Sequence, residues 1–362
     1  MPSSAAGPLP PNAVIGVLGG GQLGRMLAMA AASLGFHVHI YAPDADDCPA
    51  GEVSAFRTQA TYDDEAALAR FAREVDVVTY EFENVPARTA EVLAAIRAVR
   101  PGARALAIAQ DRLPEKDFIT SLGIETAPYA AVDDDVSARA AFRKVGPKAV
   151  LKTRQLGYDG KGQAKVASET ETVEAFARFM APSILEGFVD FEQEVSVVAA
   201  RAADGTIEAY DLVANEHRQH ILWRTIAPAR VPRTVNEHAS EIAARILSNL
   251  DYVGVIGVEM FLMRDGRLLV NEIAPRVHNS GHWTLDACAT SQFEQHIRAV
   301  AGWPLRSAAR HSDAEMTNLV GDEAAGWPAL AADSNACIHL YGKRNIKPGR
   351  KMGHVTRLFA KG

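Results

Sequence analysis

Apolar and polar residues fall into short blocks whose period changes along the chain. Val14 to Leu18 is an apolar run followed by glycines, and Gln22 to Leu34 then reads as a helix. His37 to Tyr41 and Val75 to Tyr80 read as further strands, with helices at Glu65 to Glu74 and at the Ala-rich Ala87 to Arg100. This alternation implies a parallel sheet with helices on its faces. Pro101-Gly102 breaks the last helix, and Ala105 to Ala109 is expected as one more short strand. The first unit then ends near Gln110.

Asp111 to Leu122 predicts a helix. A small α+β unit follows to about Glu186, holding a strand at Ala149 to Thr153 and a glycine-rich loop. From Glu192 the strands lengthen: Glu194 to Arg201, Ile207 to Val213 and His220 to Thr225. A helix at Asn236 to Leu250 and a hairpin at Val255 to Ile273 come next. Beyond Gly302 loops are expected to dominate, with strands near Met316 to Val320 and Ala336 to Tyr341.

Composition narrows the class. The 362 residues, 48% hydrophobic and 23% charged, suit a soluble globular chain of two or three domains. A net charge of -6 argues against nucleic-acid binding through bulk charge. Cys48, Cys288 and Cys337 are widely spaced, so neither a disulfide framework nor a zinc site is expected, and a reducing cytoplasm fits best. No apolar run approaches the roughly 20 residues of a membrane helix. Met1 to Asn12 is expected to be a disordered tail, without the pattern of a secretory signal.

Three stretches carry candidate chemistry. Gly19, Gly21 and Gly24 match GxGxxG between a strand and a helix, with Asp44 where a dinucleotide enzyme holds a ribose. The same amide groups can instead hold a phosphate monoester, with Gln22 adding a contact. In the hairpin, a two-residue turn centred on Asp265-Gly266 places Glu259 opposite Glu272, with Cβ atoms about 4.5–5.5 Å apart. Phe261 and Val270 would share their face. Two carboxylates so placed need compensation, which Mg²⁺ supplies when it also binds phosphate oxygens. The loop Arg276 to Thr284 holds six polar side chains in nine residues without helical or strand period, as a ligand-contacting loop does.

Lys152 ends a strand before Gly157-Tyr158-Asp159-Gly160-Lys161-Gly162-Gln163, a flexible loop able to lie over phosphates. The sequence is not the P-loop pattern. Glu186-Gly187-Phe188-Val189 can act as a linker whose backbone reads an adenine edge, with Glu194 following. Lys343, Arg344, Lys347, Arg350 and Lys351 surround the turn Lys347-Pro348-Gly349 and suit a phosphate.

Together these residues resemble the 5-(carboxyamino)imidazole ribonucleotide synthase family of the ATP-grasp superfamily. The resemblance runs from about Val14 to Thr356, through GGGQLGRM, YEFENVP, GYDGKGQ, NEIAPRVHNSGHWT and PGRKMGH. It implies a Rossmann-like N-terminal domain at 13–110, a small ATP-grasp lid domain at 111–186 and a large ATP-grasp domain at 187–362. It implies carboxylation of aminoimidazole ribonucleotide by bicarbonate and MgATP, releasing ADP and phosphate, in a homodimer of de novo purine biosynthesis. Arg112, Lys152, Gly157 to Gln163, Glu186 to Val189, Glu194, His217, Asn271 and Glu272 would surround ATP. Glu259 and Glu272 would hold Mg²⁺. Gln22, Leu23, Glu81, Tyr158, Lys343, Arg350 and Lys351 would hold the ribonucleotide. Asp159, Arg276, Asn279 and Lys343 would border the reacting centre. Many ATP-grasp enzymes carry Glu-x-Asn-x-Arg where this chain reads Glu272-Ile273-Ala274-Pro275-Arg276, so two protein carboxylates are expected at the metal and no Asn at 274. The rivals are another purine-pathway ATP-grasp ligase, an NAD-dependent oxidoreductase, and a nucleotide-binding protein without turnover.

Overall fold

The computed structural model describes residues 7–157 and 160–362. The first unit alternates β1 (Val14–Leu18), α1 (Gln22–Ser33), β2 (His37–Ala42), β3 (Phe56–Gln59), α2 (Glu65–Arg73), β4 (Val77–Tyr80) and α3 (Ala87–Ala94). Its four strands form a parallel sheet in the order β3-β2-β1-β4. The apolar blocks read in the sequence are these strands, and Ile15, Val17 and Ile40 are fully buried in them.

Two expectations fail here. The helix from Ala87 stops at Ala94, and Val99 instead bridges Val78 in parallel. Ala105 to Ala109 is not a strand but part of α4 (Ala103–Ala109), with Ala105 and Leu106 facing the core. The run Ala-Leu-Ala-Ile-Ala has high helix propensity, and a five-residue apolar run cannot be separated from a buried helix turn by periodicity alone.

The tail is also not wholly disordered. The Leu9 amide donates to the Ala301 carbonyl at 2.9 Å, and the Trp303 indole donates to the Leu9 carbonyl at 2.8 Å. Leu9 thereby gains an apolar contact that the Pro-rich composition did not announce. Residues 1–6 lie outside those described.

Helix α5 (Arg112–Ser121) starts at Asp111, whose side chain accepts from the Leu113 amide at 3.0 Å. The small unit contains β5 (Tyr129–Val132), α6 (Asp135–Val145), β6 (Ala149–Thr153), β7 (Gln163–Val166), α7 (Glu169–Phe179) and β8 (Ser183–Gly187). Its antiparallel sheet has the order β5-β8-β6-β7, with α6 and α7 burying Ala138, Ala141 and Ala175 against it.

The remaining strands are β9 (Gln193–Arg201), β10 (Ile207–Ala209), β11 (Val213–Arg218), β12 (Ile221–Ala227), β13 (Gly254–Leu262), β14 (Leu268–Ala274), β15 (Asp313–Val320), β16 (Ala336–Leu340) and β17 (Lys351–Phe359). Helices α8 (Arg233–Asn249), α9 (Thr284–Ala287), α10 (Gln292–Ala301) and α11 (Trp327–Ala332) are interleaved with them. The strands form one antiparallel sheet in the order β14-β13-β9-β11-β12-β15-β17-β16, with β10 beside β9. The expected strand Ile207 to Val213 is therefore two strands. The Tyr210 amide still donates to Val198 of β9 at 2.9 Å, but the Leu212 amide donates to the Asn236 side chain at 2.8 Å and its carbonyl accepts from Ala229 at 2.7 Å, which breaks the ladder between them. The C-terminal region carries more strand than expected, because β15 and β17 pair along their whole length.

Buried contacts join the sheets around the site. Ile119 and Ile124 pack with Val197, Ile256 and Val270 under the large sheet. The buried His296 joins the Thr79 hydroxyl at 2.8 Å to the Val255 amide at 3.1 Å, tying β4 to β13. Among the described residues no helix is long and apolar enough to cross a membrane.

Candidate active site

The paired carboxylates stand where strand pairing requires. Glu259 on β13 lies directly opposite Glu272 on β14. The route differs from the expected one. The turn has three residues between Met263 and Arg267, closed by the Gly266 amide to the Met263 carbonyl at 2.9 Å, with Gly266 at φ 85°. That shifts the pairing by one, so Met260 meets Val270 and Phe261 meets Leu269. Val270 therefore does not share the Phe261 face. A bulge between Val270 and Glu272 shifts the register back. Asn271 is the extra residue, and Asn271 and Glu272 both line the same cleft. Consecutive residues of a regular strand point to opposite faces, whereas a bulge sets two against one.

The cleft measures about 470 Å³ and lies between the three sheets. Each carboxylate meets a nitrogen base: Glu272 and Arg112 are 2.7 Å apart, and Glu259 and His278 are 3.0 Å apart. Burial would raise the Glu259 carboxyl, but the hydrogen bond and charge of His278, with His217 and Lys351, hold it well below the usual carboxylate range. The Asn271 Oδ1 and both polar atoms of the Asn279 side chain are buried with no hydrogen-bond partner among the described residues. Two carboxylates and unpartnered amide oxygens form a hard-oxygen donor set that fits Mg²⁺.

On the facing side, Lys152 donates to Glu186 at 3.1 Å, and Lys116 approaches the same oxygen at 3.5 Å. Burial opposes ionisation of Glu186, yet Lys152, Lys116 and Arg112 lower its pKa to about 2. The Glu186 carboxylate thus orients lysines instead of facing the opening. The Gly187 and Phe188 amides donate to the Pro128 and Lys148 carbonyls at 2.8 and 2.9 Å. Only the other backbone groups of the segment can read an adenine.

The first glycine loop holds an anion of its own. The Glu81 carboxylate accepts from the Gly21 amide and, at 2.6 Å, from the Gly24 amide. It caps α1 as a phosphate would. A Cβ at Gly19, where φ is +109°, would lie 2.3 Å from Glu81 Cγ. The dinucleotide reading fails on this geometry, because a side chain already fills the pyrophosphate position. Gln22 and Leu23 remain in the cleft wall beside it.

Arg276 forks onto Glu83, with one N–H to oxygen contact at 3.0 Å and a second to the other oxygen. His217 Nδ1 donates to the Glu194 carboxylate at 2.6 Å. The glycine-rich loop packs on His220: a Cβ at Gly160 would lie 2.6 Å from the imidazole, and Gln163 contacts it at 3.2 Å. Lys343 donates to the Lys351 carbonyl at 2.7 Å, and Arg350 donates to the Asn345 carbonyl at 3.0 Å. Arg344 is spent on Asp47 at 2.8 Å.

Most of the residues singled out from the sequence meet in this one cleft. Its wall includes Gln22, Leu23, Glu81, Arg112, Lys152 and Gly157, as well as Gly160, Lys161, Gly162 and Gln163. Glu194, His217, Glu259, Asn271, Glu272, Arg276, Asn279 and Lys351 complete that set. Lys343, Arg350 and the segment Glu186 to Val189 lie outside the wall itself. Tyr158 and Asp159 fall outside the described residues. Sequence reasoning assigned no role to Glu83, His278, His220 or the pair Glu115 and Lys116. Glu83 and His278 sat inside motifs already singled out. Glu115 and Lys116, 2% and 0% exposed, lay in an ordinary amphipathic helix without a local signal.

Family models and known proteins match the chain along nearly its whole length. A ribonucleotide synthetase preATP-grasp domain model matches residues 13–110, an ATP-grasp domain model matches 117–293, and a phosphoribosylaminoimidazole carboxylase C-terminal domain model matches 314–361. The chain is 53% identical to the N5-carboxyaminoimidazole ribonucleotide synthase of Brucella melitensis biotype 1, over 97% of each chain. A crystal structure of an N5-carboxyaminoimidazole ribonucleotide synthetase in complex with ADP superposes with a TM-score of 0.94 at 38% identity, covering 98% of this chain and 94% of that one. The Aspergillus clavatus enzyme in complex with ADP and 5-aminoimidazole ribonucleotide gives 0.90 at 32% identity, covering 96% and 94%. An ATP-grasp chain with this N-terminal parallel sheet, this C-terminal domain and these relatives along nearly its full length belongs to the N5-carboxyaminoimidazole ribonucleotide synthase family.

Proposed function

We propose that the chain carboxylates 5-aminoimidazole ribonucleotide with bicarbonate at the expense of ATP, giving the carboxyamino product, ADP and phosphate. The observation that carries this reading is the convergence of Glu259, Glu272, Arg276 and Lys152 on one cleft, which also holds Gln22 and Glu81. Relatives sharing nearly the whole chain support the same substrates. A cytoplasmic homodimer is part of the proposal.

Glu259 and Glu272, with the amide oxygen of Asn271, would hold Mg²⁺. When bound, that ion neutralises charge on phosphate oxygens. Lys152 and Arg276 supply fixed positive charge where bicarbonate oxygen displaces ADP from the γ-phosphorus. The product of that transfer, a carboxyphosphate, releases phosphate and CO₂, and the substrate amine captures the carbon. Asp159 would accept the amine proton. The loop Gly157 to Gln163, whose Gly160 and Gln163 lie against His220, would keep water from the intermediate.

Phosphate release from enzyme and MgATP tests the reading. Release is expected to need both aminoimidazole ribonucleotide and bicarbonate. Phosphate release that ignores the ribonucleotide would sink it.

Lys343, Arg350 and Lys351 would hold the substrate phosphate, which predicts a pH effect. Burial, with Arg350, Lys351 and the opposing Glu81, brings the Lys343 ammonium down to about 8. Its charge is present below that pH and lost above it. The kcat/KM for aminoimidazole ribonucleotide is therefore expected to fall as pH rises through about 8, and Lys343→Arg is expected to flatten the decline. A wild-type profile level to about pH 9.5 would remove Lys343 from phosphate binding.

A further inference from the structure

The bulge at Asn271 is held from outside its own hairpin. On α5, Glu115 accepts from the Ile273 amide at 2.6 Å, and Lys116 donates to the Val270 carbonyl at 3.3 Å. These are the backbone groups on either side of Asn271 and Glu272. One turn earlier on the same helix face, Arg112 meets the Glu272 carboxylate at 2.7 Å. Lys116 also reaches Glu186, which orients Lys152, so one helix face contacts both walls of the cleft.

Two buried ionisable side chains of this kind are not needed for packing. Glu115 and Lys116 are 2% and 0% exposed, and apolar side chains of similar volume would cover Ile119 and Val270 without a desolvation cost. What apolar residues cannot do is take the Ile273 N–H and the Val270 carbonyl, which the bulge leaves outside the ladder with β13. Without those two contacts the outside hold on this stretch falls to the Val270 amide, which donates to the Glu125 carbonyl at 2.8 Å, and the Arg112–Glu272 pair, and regular pairing becomes a competing register. Asn271 would then stand opposite Glu259, and Glu272 would turn to the other face.

We propose that Glu115 and Lys116 are positioning residues that clamp the β14 bulge and so aim Asn271 and Glu272 together at the cation site. The proposal rests on the reading that Glu259 and Glu272 hold Mg²⁺. It assigns these two buried residues no contact with substrate.

Calorimetric titration with ADP, in the presence and absence of Mg²⁺, tests it on the full-length protein. The readout is the ratio of the two ADP dissociation constants. For the wild type, Mg²⁺ is expected to tighten ADP binding. In Glu115→Leu and Lys116→Met the ratio is expected to shrink by about 10–100-fold, the usual effect of losing a partner that orients a metal ligand. Glu115→Gln retains an oxygen for the Ile273 amide and is expected to stay near the wild-type ratio. A purely structural role would lower the melting temperature and leave the ratio unchanged. That outcome in a folded Lys116→Met protein overturns the clamp, whether or not Glu115→Leu folds. A Glu115→Gln ratio as low as that of Lys116→Met would also overturn it, since charge rather than the amide contact would then matter. A wild-type ratio near one would instead overturn the metal reading on which the clamp depends.

Discussion

Replacing Glu272 with Gln is expected to lower ribonucleotide-dependent ADP formation by at least about 10²–10³-fold, the range seen when one preorganised electrostatic contact is removed. The substitution keeps the shape of the side chain and every backbone contact of the bulge. It removes the negative charge that faces Glu259 and leaves the Arg112 guanidinium, 2.7 Å away, without its partner. The loss should appear in kcat/KM for ATP, with an unchanged circular dichroism spectrum and melting temperature within a few degrees. A variant within threefold of wild type would mean that the carboxylate holds no essential cation. Glu259→Gln is a weaker test, because the amide oxygen can still accept from His278 Nε2, whose ring Ser280 already holds at 2.8 Å from Nδ1.

The second large effect concerns Arg276. Its fork onto Glu83 joins the large sheet to the segment after β4, across 193 positions of sequence. Arg276→Ala removes the cation proposed to stabilise phosphoryl transfer and leaves Glu83 unpaired in the cleft wall. The activity loss is expected to be about 10²-fold or more. The stability cost is expected to be about 3 kcal/mol, the low end for a broken buried pair, because the Glu83 side chain keeps 26% exposure. The sign of its pH dependence follows from Glu83. Burial raises that carboxyl, but Arg276 outweighs burial and sets it below its ordinary value. The contribution of the pair is therefore full above the ordinary carboxylate range and disappears as pH falls through the lowered folded value. Urea unfolding of wild type and variant should differ most near neutrality and converge in acid. A difference constant down to acid pH would assign the loss to packing instead of charge.

These effects meet at a hairpin whose reading from sequence reached the right pair by two departures that cancel. Asp265-Gly266 announces a turn, and apolar spacing announces the strands. The turn holds one residue more than a two-residue loop, and the bulge at Asn271 holds one more in β14. Each shifts the pairing by one residue, so Glu259 still meets Glu272. The intermediate pairs, such as Phe261 with Val270, do not survive. Local residues do not announce the bulge, because its partners Glu115 and Lys116 lie more than 150 positions away.

The glycine loop shows the same limit from the other side. A strand, three spaced glycines and a helix are legible, since each is a local backbone requirement. The anion that caps the helix is not, because Glu81 comes from the end of β4, 57 positions from Gly24. The small errors at Ala105 to Ala109 and Ile207 to Val213 are also matters of partner. A short apolar run takes its conformation from what buries it, and the Leu212 backbone leaves the sheet for Asn236 and Ala229.

By itself, the sequence determined the parallel first unit, the α+β unit and strand-rich region after it, most of the main strands and helices, and the motifs whose residues meet in the cleft. Those features follow from periodicity, turn chemistry and local composition. Only the tertiary structure decided which charges are already matched: Glu81 with the α1 amides, Arg112 with Glu272, His278 with Glu259, Arg276 with Glu83. Each of these pairs, His278 and Glu259 included, joins groups from different elements, and their strength depends on burial and distance, neither of which is a property of one stretch of chain.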